Sequence, residues 1–194
     1  MKLVIVESPA KCKKINSFLG NNFIVKASFG HIRDLEKGTK AIDVNNNYNP
    51  KYRILSSKSK VIRELRNAMK KVDEVIIASD LDREGEAIGY HVAKVLKLNI
   101  NNTKRIVFNQ ITKKAVLNAL HNPKRLDMNL FNAQQARRIL DRLVGFELSP
   151  VLWRHIQKNL SAGRCQSPAL KLIYDKEKDI AKFQSMCYFE TTGT

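Results

Sequence analysis

Residues 73–96 read DEVIIASDLDREGEAIGYHVAKVL. Val75 to Ala78 form a short apolar run with no polar alternation, the pattern of a strand buried on both faces. From Gly85 onward the pattern changes: Ile88, Val92, Val95 and Leu96 recur at helical spacing and make one apolar stripe. The segment therefore predicts a strand, a tight turn and a helix. The turn is crowded with carboxylates, Asp80, Asp82, Glu84 and Glu86, in a chain whose net charge is +17. Neutralising a basic surface would scatter acids among the bases, so negative charge is wanted at this place.

The same unit occurs at the start of the chain. KLVIV (residues 2–6) is a second β-branched run, Glu7 ends it, and SPAKCKKINSFLG follows. Ser8 is a natural N-cap, Pro9 suits the first helical position, and Gly20 closes the segment. NFIVKASFGH alternates Phe23, Val25, Ala27 and Phe29 as a strand. RDLEKGTKAIDVNNNYNPKYRIL (residues 33–55) is polar and rich in Asn, a loop or irregular insertion. KSKVIRELRNAMKKV puts Val61, Ile62, Leu65 and Met69 on one helical face, and KRIVFNQIT (residues 104–112) is a further strand. Alternating strands and helices to about residue 120 argue for a parallel α/β sheet.

Past HNPKRLD the pattern is helical only. MNLFNAQQARRILDRLVGF presents Leu130, Ala133, Ile139, Leu140, Leu143 and Val144 as an apolar face. SPVLWRHIQKNL and SPALKLIYDKEKDIAKF read as two more helices, each opened by Ser-Pro. MCYFETTGT looks like a strand that begins and stops, so a piece of a longer protein is expected.

Lys and Arg total 35 against 18 Asp and Glu, a field that draws in polyanions, and nucleic acid leads among them. A membrane surface would favour one basic amphipathic helix, whereas the bases here run the whole length. No apolar stretch reaches the roughly 18 residues of a membrane span. The opening MKLVIVESPA turns acidic too soon for a signal peptide, which points to cytosol or nucleus. Cys12, Cys165 and Cys187 are too far apart for a zinc site or a disulfide framework and are expected as small buried hydrophobes.

Ligands of open parallel sheets bind outside the carboxyl ends of the strands. Glu7 and the Asp80–Glu84 group each follow a buried strand, so distant stretches deliver carboxylates to one rim. Oxygen-only donors there suit Mg²⁺. An EF-hand matches at Asp80, Asp82, Glu84 and Gly85 but fails at Ile88 and His91, its ninth and twelfth positions. A solvated acidic first turn, favoured by the helix macrodipole, stays open as the bland alternative; Arg83 within the cluster and Glu7 at another strand end weigh against it. Lys11 opposes the macrodipole in its helix's first turn unless a phosphate is held there, although Lys11, Lys13 and Lys14 could also be a solvated face. On the later helix, Arg137, Arg138, Asp141 and Arg142 lie opposite the apolar stripe. Asp141 could brace Arg137 at i,i+4 and Arg138 at i,i+3, as a phosphate-binding face or an ordinary salt-bridged one.

LVIVESPAK, GHIRDL, ASDLDREGEAI, RIVFNQIT, NAQQARRILDRLVGFELSPVLW and LSAGRCQS occur in that order. Together they resemble the N-terminal part of type IA DNA topoisomerases, the bacterial topoisomerase I branch in particular. The resemblance implies a Rossmann-like, mostly parallel Toprim domain over residues 1–122 and part of an α-helical single-strand-binding domain over 123–194. It implies relaxation of negatively supercoiled DNA by Mg²⁺-dependent cleavage of one strand, strand passage and resealing through a tyrosyl phosphate, by a monomer.

By the same resemblance Glu7 serves in proton transfer and metal binding, and Lys11 stabilises charge on the phosphate. Asp80, Asp82 and Glu84 hold Mg²⁺. His31, otherwise a loop or core histidine, contacts DNA together with Arg137, Arg138, Asp141, Arg142, Phe146 and Trp153. Ser161, Ala162, Gly163, Arg164, Cys165 and Gln166 form a loop that grips the single strand. Phe146 stands where that branch commonly has tyrosine, which keeps a stacking face and loses a hydroxyl. None of Tyr48, Tyr52, Tyr90, Tyr174 and Tyr188 sits in the family's catalytic context, so half an active site is expected. A stand-alone Toprim module that binds nucleic acid without topoisomerase activity is the alternative from another class.

Overall fold

The computed structural model describes residues 1–193. They fall into two compact units, Met1–Ile139 and Leu140 onward.

The first unit is built on a five-stranded sheet. In chain order its strands and helices are β1 (Lys2–Val6), α1 (Pro9–Phe18), β2 (Phe23–Ala27), β3 (Arg33–Leu35), β4 (Ile42–Asp43), β5 (Asn49–Pro50), β6 (Tyr52–Ile54), α2 (Ser59–Met69), β7 (Glu74–Ala78), α3 (Arg83–Leu96), β8 (Lys104–Ile106), α4 (Lys113–His121) and β9 (Lys124–Arg125). The sheet order is β2-β1-β7-β8-β9. The first four strands are parallel and β9 runs antiparallel to β8, which bears out the expected mostly parallel α/β architecture.

The apolar runs of β1 and β7 have a two-sided explanation. Leu3, Ile5 and Ile77 meet α2 and α3 through Ile62, Leu65, Val92 and Leu96. Val4, Val6 and Ile76 turn the other way, to Ile15 of α1, Leu19 at its C-cap, and Val116 and Ala119 of α4. Alternate residues of one strand thus feed two cores, each fully buried aliphatic side chain contributing about 1.5–3 kcal/mol.

Residues 33–55 are more ordered than a loop. Two short antiparallel pairs form, β3 with β6 and β4 with β5. They are anchored because Ile32, Leu35, Ala41 and Ile42 are buried, and scattered single apolar residues give no period to read in sequence. Phe29, expected to extend the second strand, is instead half exposed at φ 60° beside Gly30 at φ 79°, where the chain turns out of β2.

Helix α5 (Met128–His155) corrects two expectations. Ser149-Pro150 does not open a separate helix, since Pro150 lies inside α5. Proline costs a helix one backbone donor, but Ser149 is not used as a cap: its Oγ accepts the Ala162 N–H at 3.3 Å. Nor is Leu130 on the buried face; α5 buries Phe131 and Gln134. Phe131 stacks on Tyr90 of α3 with ring centroids 3.7 Å apart. That packing carries the first unit beyond the sequence boundary at residue 122.

In the second unit, α6 (Gln166–Lys182) begins one residue before Ser167 and has no buried residue. Leu170, Leu172, Ile173 and Ile180 are all exposed. The expected terminal strand is absent among the described residues 186–193, which are irregular. Cys165 and Cys187 are exposed, against expectation, and Cys12 is half-buried. Cys165 follows a polar turn and Cys187 an irregular tail, neither of which has an apolar layer over it. Among the described residues, no helix is long and apolar enough to cross a membrane.

Candidate active site

The order β2-β1-β7 places the topological switch point between β1 and β7: from β1 the chain goes first to β2 on one side and later to β7 on the other. The register pairs Val6 with both Ala78 and Ala27. Glu7, Ser79 and Ser28 therefore leave the sheet side by side, which is why stretches far apart in sequence share one rim.

Glu7 and Asp80 meet there. Glu7 Oε1 accepts the Asp80 backbone N–H at 2.8 Å. Lys11, one helical turn on, puts Nζ 2.5 Å from Asp80 Oδ1 and 3.8 Å from Glu7 Oε2. Ser8 caps α1 by accepting the Lys11 N–H, as expected, and so fixes the turn from which the lysine projects. Burial pushes the Glu7 carboxyl above the usual range, opposed by the Asp80 N–H, while the Asp80 charge raises it further and Lys11 lowers it.

The other acids are turned to protein partners. Asp82 is the N-cap of α3, its Oδ1 accepting the Gly85 N–H at 2.7 Å. Glu84 Oε2 accepts from Gln134 Nε2 at 3.1 Å and stands 3.5 Å from His31 Nε2. His31 follows the turn after β2, so a third strand end contributes to the same rim. Among the described residues, no three His, Cys, Asp or Glu side chains converge into a group that could hold an ion. The donor chemistry of Asp80, Asp82 and Glu84 nonetheless fits a hard divalent cation, since all three offer carboxylate oxygen.

Two residues lie directly beneath: Arg105, which sequence reasoning missed, and Glu86, which it counted with the acidic turn but gave no role. Arg105 of β8 and Glu86 of α3 are fully buried, with Arg105 Nη1 3.1 Å from Glu86 Oε2. Burial pushes Glu86 up and Arg105 down, each opposed by its partner's charge. A signal existed: Arg105 lies within a segment read as a strand, and an arginine buried there demands an acid.

The DNA-face residues divide between the units. In the first, Arg137 is half-buried. Arg138 Nη2 lies 2.9 and 3.1 Å from the two carboxylate oxygens of Asp34, a partner from β3 that the sequence did not suggest. In the second, Asp141 holds Arg164, 2.8 Å from its Nε. The Arg142 guanidinium sits 5.5 Å from the centre of the Phe146 ring. Residues 161–166 fold against α5: Trp153 donates to the Leu160 carbonyl and Gln166 Nε2 to Ser161 Oγ. Gly163 donates to Ser167 Oγ at 3.2 Å. Phe146 and Trp153 remain 39% and 47% exposed, so each keeps a face free for stacking.

The Toprim domain family matches residues 2–111, and the DNA topoisomerase family matches residues 125–194. Full-length topoisomerase I from Thermotoga maritima, solved in a monoclinic crystal form, is similar at 48% sequence identity with a TM-score of 0.84. That likeness covers 94% of this chain and 31% of the other.

Proposed function

The chain belongs to the Toprim family and continues as a type IA DNA topoisomerase, and from that premise we propose that it supplies the phosphate-handling half of a site that cleaves and reseals one DNA strand. The observation that carries this reading is the Glu7–Asp80–Lys11 cluster at the switch point of the sheet. In it, Glu7 Oε1 is committed to the Asp80 N–H, which leaves Oε2 to carry a proton to and from the sugar oxygen released and recaptured at the cut. Lys11 places an ammonium where a phosphate gathers charge in the transition state. His31 and Gln134 orient Glu84. Mg²⁺ held by Asp80, Asp82 and Glu84, with Glu7 close by, would neutralise phosphate oxygens during resealing. The attacking tyrosine is expected from outside these residues, so the 194-residue chain alone binds DNA without cutting it.

Residues 123–194 are proposed as part of the single-strand-binding domain and residues 1–122 as the Toprim domain. Arg137, Arg138, Arg142 and Arg164 bind backbone phosphates, Asp141 holds Arg164 in place, Phe146 and Trp153 stack on bases, and Ser161 to Gln166 close on the strand. The negatively supercoiled duplex is the substrate, and a monomer acts on it. The match past residue 125 supports this over a stand-alone nucleic-acid-binding module.

The metal reading is tested with Asp80→Asn plus Asp82→Asn in the full-length topoisomerase. The Mg²⁺ concentration for half-maximal relaxation should rise by about tenfold or more; an unchanged Mg²⁺ requirement removes these carboxylates from the ion's site. The DNA face is tested with Arg138→Ala plus Arg142→Ala. Removing two phosphate contacts should lower the slope of log K against log salt for a single strand by about 1.4. A wild-type slope would place that helix off the DNA backbone.

A further inference from the structure

Beneath the rim, Arg105 makes more contacts than neutralising one acid requires. Its Nε donates to Ser79 Oγ at 3.0 Å and its Nη2 to the backbone carbonyl of Asp80 at 2.6 Å, while Nη1 faces Glu86. The contact to Glu86 Oε2 has ion-pair distance without hydrogen-bond alignment. Glu86 turns its other oxygen to the next element, Oε1 accepting the Asp127 N–H at 2.7 Å. Asp127 in turn caps α5, its Oδ1 accepting from Asn129 N and Leu130 N. One buried pair thus links three things: the Asp80 peptide, the body of α3 and the first turn of α5. The Asp80 main chain is gripped at both its polar groups, the carbonyl by Arg105 and the N–H by Glu7, so the two peptide units that flank its Cα are each held.

A pair kept for stability alone would be a poor device. Two charges taken out of water cost several kcal/mol each, and an apolar pair of the same volume often does as well or better. What an apolar pair lacks is a planar fork that meets a hydroxyl, a carbonyl and a carboxylate at once. We propose that Arg105 and Glu86 are positioning residues, which lock the main chain at Asp80 so that Glu7 is held against its N–H, and which tie that main chain to the start of the helix carrying Arg137 and Arg138. The metal-dependent part of this inference rests on the proposed role of Asp80, Asp82 and Glu84; the peptide-locking part does not.

The test uses the 194-residue chain and two readouts. Arg105→Met with Glu86→Met removes both charges and keeps the volume apolar, so the core amides of Val4 and Ile76 should exchange with deuterium as in the wild type. The Asp80 amide, and that of Phe131 at the start of α5, should exchange about tenfold faster. Mn²⁺ affinity, followed by electron paramagnetic resonance, should fall by about tenfold. Arg105→Lys, which keeps a cation beside Glu86 and loses the fork, should show the same acceleration at Asp80 and serves alone should the double variant fail to fold. Asp80 exchange within twofold of wild type, in a variant whose core stays protected, overturns the proposal and leaves the pair a packing element. Absence of Mn²⁺ binding by the wild-type chain overturns the metal reading instead, and Asp80 exchange still decides the role of the pair.

Discussion

Relaxation by the full-length topoisomerase is expected to fall about 100-fold when Gly85 becomes alanine. Gly85 sits in the first turn of α3, where its backbone packs against the Asp80 peptide. A Cβ built there meets Asp80 O at 2.4 Å, Asp80 N at 2.8 Å and Asp80 C at 3.0 Å. Each of these is main chain, so no side-chain rotation relieves the overlap, and either Asp80 or α3 must shift. Either shift undoes the geometry of the rim. The Asp80 N–H to Glu7 and the Asp80 carbonyl to Arg105 are both made by the displaced main chain of Asp80, and Gly85 N is itself the donor to the capping Asp82. Displacement of a catalytic group by about 1 Å commonly removes two orders of magnitude of rate. Single-strand affinity without metal should stay near wild type, because the arginines that carry it lie elsewhere. Gly20→Ala is the control, since its added methyl meets nothing within 4 Å. Relaxation within threefold of wild type in Gly85→Ala would mean that the Asp80 peptide is not where the chemistry is set.

The case of Gly85 also shows which parts of the site were legible in sequence. Glu7 and Asp80 could be found because each follows an apolar run that reads as a buried parallel strand, and parallel strands share a carboxyl edge; Lys11 could be found because it opposes the macrodipole in the first turn of its helix. Gly85 was read only as the sixth position of a calcium loop that fails later; its close approach to Asp80 is a tertiary fact with no local signature. The pairing of Arg105 with Glu86 was hidden for a related reason. Glu86 reads as one more acid of the turn and Arg105 as one more base of a strand, and only the β7–β8 pairing brings the arginine under the acidic turn.

Capping signals fared according to context. Ser8-Pro9 opens α1 because it follows a strand, where the chain must change conformation. Ser149-Pro150 falls within an established helix, whose preceding turns persist through a proline, and the serine takes a donor from the loop at Ala162. Arg138 shows the same limit. The fold gives it Asp34, a partner that no helical spacing names, brought near by the β3–β6 pair that the Asn-rich stretch concealed.

His91 should make the first unit acid-sensitive well above the carboxylate range. It is 2% exposed, packed against Tyr52, Tyr90 and Phe131, with ring centroids 4.6, 5.6 and 5.8 Å away. Burial, with Arg33 and His31 adding to it and Asp34 opposing, pushes its pKa down to about 3 from 6.5. The folded state therefore keeps the ring neutral while the unfolded chain takes up a proton near pH 6.5. Stability from this residue is complete above that pH. It is lost as pH falls toward 3, by about 1.4 kcal/mol per pH unit and about 5 kcal/mol in the limit. Glu7 and Glu86 work in the opposite sense, because a raised folded pKa favours folding as they protonate. A bare acid titration would mix these contributions, and comparison with His91→Leu separates them. Leucine has similar volume and binds no proton, and it also removes Nδ1, a buried nitrogen without a hydrogen-bond partner. The variant should match or exceed wild type in urea unfolding at pH 8, since an orphaned buried polar atom costs about 1–3 kcal/mol. Its advantage should then widen by about 1.4 kcal/mol per unit from pH 6 to pH 4. A constant difference across that range would show that the ring charges in place, within a pocket open enough to hydrate it.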